Sequence, residues 1–142
     1  MSRAPPMNRG VAISWAIGLG LLAGSVGATI TPSETAGEEV RQIAGLFLIF
    51  APALYVFVTR QWDHWRRTNP YIRFAVFHLS FFAVGGVLVR LAVRMLGSSG
   101  AVANAVFFTS VLVAFGISSW LTFYGGADRV WAGFIQRTDI EW

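Results

Sequence analysis

Four long apolar segments organise the chain, and a polar stretch at Arg60–Arg73 divides them two and two. The first runs from Val11 to Ile30 without a charge, about the ~20 residues an α-helix needs to cross a ~30 Å hydrocarbon core. The second covers residues 42–59, the third 72–96 and the fourth 101–124. Residues 1–142 are therefore predicted to form a single domain, an all-α membrane protein built as a four-transmembrane-helix bundle. A secretory signal competes for the first segment, with Arg3 and Arg9 ahead of it and Val26-Gly27-Ala28 loosely resembling a cleavage site. The run is longer than a usual signal core and reads as a span.

Local signals mark where the helices begin and end. Thr31-Pro32-Ser33-Glu34 has the grammar of a helix start, with Thr as N-cap, Pro at the first position and Glu at the third. Thr35-Ala36-Gly37-Glu38 offers a second capping box one turn later. Helix two is thus expected to begin ahead of the membrane, with Glu34, Glu38 and Glu39 at or above the interface. Pro52 falls inside that helix and deprives the Leu48 carbonyl of its partner, so a kink is expected. Asn69-Pro70 starts helix three, and Gly97-Ser98-Ser99-Gly100 forms a tight turn that makes helices three and four antiparallel. The tail, residues 125–142, has mixed charge and is expected to form one or two turns along the interface.

Small residues recur at helical spacing in two segments. Ala16, Gly20, Gly24 and Ala28 fall every fourth position in the first, and Ser110, Ala114, Ser118, Thr122 and Gly126 do so in the fourth. Such ridges let membrane helices approach closely, and they are expected to be packing faces.

Composition supports lipid as the solvent. Only 13% of residues are charged against 55% hydrophobic, where a soluble domain carries about 25% charge. The net charge is +4 and all eleven basic residues are arginine. The arginines cluster at segment ends instead of forming one basic stripe, so nucleic acid is not an expected partner. The chain has no cysteine, which removes disulfides, thiolate catalysis and cysteine-ligated iron–sulfur clusters.

The arginines also predict orientation. Four spans put eight on the side of the termini (Arg3, Arg9, Arg60, Arg66, Arg67, Arg73, Arg129 and Arg137) and three (Arg41, Arg90 and Arg94) on the other. By the positive-inside rule both termini, the central loop at residues 60–71 and the tail are cytoplasmic, in a multi-pass protein of the cell (plasma) membrane. Trp62, Trp65, Tyr71 and Trp131 then act as interfacial anchors at the cytoplasmic headgroups.

Few residues carry candidate chemistry. His78 lies about one and a half turns inside helix three, and an ionisable group within a span is a functional candidate. It could serve a transport pathway, a haem or a quinone. A second histidine within a span is lacking, so bis-histidine ligation would need another chain. Arg90 and Arg94 lie one turn apart, with Arg90 about 25 Å along the helix from Arg73. They suit an anion or lipid headgroup, or ion pairs with Glu34, Glu38 or Glu39 across the outer rim. Leu79, Ala83, Gly86 and Arg90 share a face that is expected to meet a neighbouring helix. Asp63-His64 suggests acid–base chemistry, but no nucleophile or metal spacing accompanies it and a headgroup-facing loop is the expected role. No Walker A loop, GxGxxG, HExxH or GxSxG pattern occurs.

The leading expectation is a non-enzymatic accessory or assembly subunit, or a self-associating membrane scaffold. Its partners would be the lipid bilayer and other membrane chains or copies of itself. Neither a metal nor a cofactor is expected on that reading. The alternatives are a small oligomeric transporter or channel, with a path past the Pro52 kink, His78 and Arg90/Arg94, and a haem- or quinone-binding membrane anchor using His78. Haem b is the cofactor the last would take.

Overall fold

A computed structural model describes residues 8–63 and 69–138. Among these, five helices follow in order: α1 (Arg9–Ile30), α2 (Ala36–Arg60), α3 (Pro70–Leu96), α4 (Ala101–Phe123) and α5 (Gly126–Thr138). The first four are long and apolar enough to cross a membrane, which fits a small polytopic membrane protein.

The α1–α2 connection departs from the sequence expectation. Thr31 does not open α2; it closes α1, its N–H bonding the Gly27 carbonyl at 3.2 Å. Its hydroxyl lies 2.9 Å from that carbonyl and 3.0 Å from Gln42 Oε1, with one proton to share between them. Committed in this way, Thr31 cannot cap a second helix. Thr35 does so, accepting from the Glu38 N–H at 3.2 Å, while Glu38 Oε2 accepts from the Glu34 N–H at 3.0 Å. Helix two therefore starts one turn later than the first capping signal suggests.

At α3, Asn69 Oδ1 accepts from the Tyr71 N–H at 2.9 Å, and Pro70 occupies the first turn, where its missing N–H has no intrahelical partner to lose. Gly97 (φ 83°) and Gly100 (φ 109°) turn α3 into α4 through backbone angles that other residues resist. The tail is a longer helix than expected, spanning Gly126–Thr138, with Asp128 in its first turn and Arg137 in its last, both favourable to the helix dipole.

The helices pair as two antiparallel hairpins, α1 with α2 and α3 with α4, which meet mainly through α1 against α3. Ala16, Gly20, Gly24 and Ala28 are all buried on α1. A Cβ on Gly20 would lie 3.0 Å from the Ala51 Cβ, and one on Gly24 3.1 Å from the Ile43 carbonyl oxygen. This ridge is thus used inside the chain, between α1 and α2. On α4, Ser110, Ala114, Ser118 and Thr122 are likewise buried. Gly85 of α3 faces both Ile30 and Ala114, which locks the hairpins together at that level.

Aromatic rings fill the middle of the seam between hairpins. Phe50 of α2 stacks on Phe115 of α4 and meets Phe81 of α3 edge-on, while Phe57 contacts Phe115, Phe123 and Tyr124. Phe77 extends the cluster to Phe81, Phe115 and Phe123. The cluster fills the half of the bundle nearer the termini and leaves the half nearer the two hairpin turns more open.

Candidate functional site

Between α2 and α4, at the end of the bundle that carries the two hairpin turns, a cleft of about 500 Å³ opens. Its mouth is polar, lined by Thr31, Glu38, Arg41, Gln42 and Asn104. Below these the walls are apolar, with Gly45, Leu46 and Ile49 on α2 facing Phe107, Phe108 and Val111 on α4. From Glu38 to Ile49 the cleft runs about 16 Å along α2, half of a ~30 Å hydrocarbon core. One turn beyond Leu46 and Val111, outside the lining, Phe50 and Phe115 stack across the seam.

The local chain explains why this end stays open. Gly45 presents no side chain, and a Cβ built on it would meet nothing within 4 Å. Large rings lie further down, at Phe50 and Phe57, and hold the helices apart by their own width. The Thr31–Gln42 contact ties the α1–α2 turn to the mouth and leaves the Gln42 amide hydrogens for the cleft. Glu38 and Arg41, three residues apart, lie on one helix face. They form no ion pair with each other among the described residues, so both charges face the mouth uncommitted to each other.

The residues singled out from sequence lie in different places. Among the cleft residues, only Glu38 was in that set; Glu34 and Glu39 are exposed beside it. Arg90 and Arg94 are also exposed and, among the described residues, make no ion pair with Glu34, Glu38 or Glu39. The α3 face bearing Leu79, Ala83 and Arg90 points away from the other helices, Leu79 being 70% exposed. The inward face carries Arg73, Phe77, Phe81, Gly85 and Val89 instead.

His78 is half-buried beside that inward face. Its Nδ1 lies 2.9 Å from the Phe74 carbonyl oxygen, which can only accept, so Nδ1 carries the proton. Its ring packs on Phe74 at 4.3 Å, and its Nε2 is buried with no hydrogen bond among the described residues. Pro52 lies on an exposed face of α2, in an apolar dent with Ile17, Leu48 and Tyr55. Pro52, His78 and Arg90 therefore do not converge, and the aromatic cluster fills the interior between them.

At the opposite end, sequence reading missed a second polar feature. Arg73 is only 4% exposed and lines a crevice of about 100 Å³ with Thr122 and Asp128. The Asp128 carboxylate is a nearby counter-charge for it. The hydroxyls of Ser118, Ser119 and Thr122 are buried without hydrogen bonds among the described residues. Trp62 packs against the core with its indole N–H buried, whereas Tyr71 and Trp131 are exposed. Trp65 and His64 lie outside the described residues. Among the described residues no three His, Asp or Glu side chains gather as a metal site would require.

Comparisons with protein-family models, curated proteins and solved structures return no match. The cleft must be read on its own chemistry.

A sequence signal for it existed. Gln42 and Asn104 are amides at the turn-side starts of the second and fourth apolar runs, and an amide so placed has a polar partner to find.

Proposed function

We propose that this chain is a non-catalytic membrane protein that holds an amphiphile in the cleft between its hairpins, as an accessory component of a membrane assembly. The observation that carries this reading is the polarity gradient of the cleft. Its mouth holds Glu38, Arg41, Gln42 and Asn104, and its walls turn wholly apolar within two helical turns. A headgroup above a hydrocarbon chain has the same division, and the depth matches one leaflet. On this reading the polar side chains of the mouth bind and do not react.

The aromatic fill favours this over a conduit through one chain. A transport path past His78 would need to displace Phe77 and Phe81, both fully buried next to it. The positive-inside bias supports placing the termini in the cytoplasm, with the cleft in the outer leaflet of the cell membrane.

Native mass spectrometry of gently extracted protein tests the reading. We expect the wild type to carry a lipid-mass adduct and Gly45→Phe to lose it. Gly45 lines the cleft and has open space at its Cβ, so a bulky side chain there starts without a contact and takes up cleft volume. An adduct unchanged by Gly45→Phe, or absent from the wild type, would remove the cleft as a lipid site.

A further inference from the structure

We infer that the mouth of the cleft recognises a zwitterionic phospholipid with a primary ammonium, as in an ethanolamine headgroup, taking the ammonium at Glu38 and the phosphodiester at Arg41. This rests on the reading of the cleft as an amphiphile site and adds to it the class of ligand.

The charges at the mouth have opposite sign and sit on one helix face, one turn apart. A headgroup whose phosphate and ammonium are joined by a short carbon link presents the complementary pair at matching scale. The planar guanidinium of Arg41 can take two phosphate oxygens at once. The Gln42 Oε1 faces the Thr31 hydroxyl at 3.0 Å, its amide hydrogens have no partner among the described residues, and with Asn104 they can donate to the remaining phosphate or ester oxygens. Below them Leu46, Ile49, Phe107 and Val111 offer an acyl chain an apolar wall.

Other headgroups fit less well. An anionic phosphoglycerol headgroup would engage Arg41 but leave Glu38 facing a negative ligand, and like charges repel. A quaternary ammonium has no N–H to give Glu38 and prefers aromatic faces. The rings here, Phe107 and Phe108, lie a turn below Asn104 with the acyl wall.

The test uses the full chain, delipidated in detergent and offered ethanolamine, choline and glycerol phospholipids with identical acyl chains in equal amounts. Native mass spectrometry reads the retained lipid. We expect the ethanolamine lipid to be retained about tenfold over the glycerol lipid, the factor of one lost charge-assisted contact. Glu38→Gln should erase its advantage over the choline lipid. The amide oxygen of that variant can still accept from the Glu34 N–H, so the start of α2 is preserved. Arg41→Gln should weaken retention of both zwitterions.

Equal retention of all three lipids, insensitive to Glu38→Gln and Arg41→Gln but abolished by Gly45→Phe, would overturn the headgroup assignment and leave the cleft as an amphiphile site. So would a preference for the glycerol lipid, which would show a site reading phosphate alone. Retention that survives Gly45→Phe would overturn both readings.

Discussion

Phe50 of α2 lies face to face on Phe115 of α4, with centroids 4.1 Å apart and planes 3° from parallel. This contact lies one turn beyond the cleft walls at Leu46 and Val111 and joins the two hairpins across α2 and α4. In a soluble core, truncating such a ring to Ala costs about 3–5 kcal/mol, part of it transfer from water. Lipid is as apolar as the core, so that part is absent here. We expect Phe50→Ala to destabilise by the packing and cavity remainder, about 1–3 kcal/mol. Reversible unfolding in mixed micelles measures it. A loss below about 0.5 kcal/mol, the level of an ordinary surface change, would show that the stack does not hold the seam.

The α1 glycines should divide sharply by position. Leu at Gly20 or Gly24 would press on Ala51 or on the Ile43 carbonyl, and overpacking of this kind costs about 1–3 kcal/mol or more. Gly18, exposed on the same helix with nothing within 4 Å, should accept Leu with no loss. Melting in detergent compares the three. A Gly20→Leu protein as stable as Gly18→Leu would remove the close α1–α2 approach.

Arg90 and Arg94 are exposed and unpaired with the turn-end glutamates. A double-mutant cycle on Arg90→Gln and Glu38→Gln should show coupling under about 0.3 kcal/mol, as for independent sites. Coupling near 1 kcal/mol, the upper range of exposed ion pairs, would restore the outer-rim pairing.

Orientation can be read directly, because the chain has no cysteine of its own. Ser33→Cys lies in the α1–α2 turn and Asp63→Cys at the opposite end, and both positions are exposed. An impermeant maleimide added to intact cells should label Ser33→Cys alone. Labelling of Asp63→Cys alone would reverse the proposed topology.

Much of the architecture could be read along the chain because membrane helices depend on runs, and runs are local. The Val11–Ile30 run and the Gly97–Gly100 turn needed no tertiary information. The start of α2 was harder, since two capping boxes competed and only the Thr31–Gly27 bond decides between them. The inward face of α3 was not legible. In a lipid-solvated helix apolar side chains point both ways, so Leu79 (outward) and Phe77 (inward) carry the same signal. The cleft escaped for a further reason. It exists only where α2 and α4, distant in sequence, diverge above an aromatic spacer, and no local pattern encodes that divergence.

The close glycine ridge inside the first hairpin, set against the side-chain seam between hairpins, makes the chain modular. Each half buries its tightest contacts against itself, in the α1–α2 and α3–α4 pairs. A backbone break in the stretch between Asp63 and Asn69 should therefore be tolerated, with two co-expressed halves recovering one another in the membrane. The same modularity lets two copies exchange hairpins, since a second chain's α3–α4 pair offers an identical surface to the first chain's α1. Co-purification of the halves at a one-to-one ratio would establish them as separable units, and failure to co-purify would show that their covalent link is required.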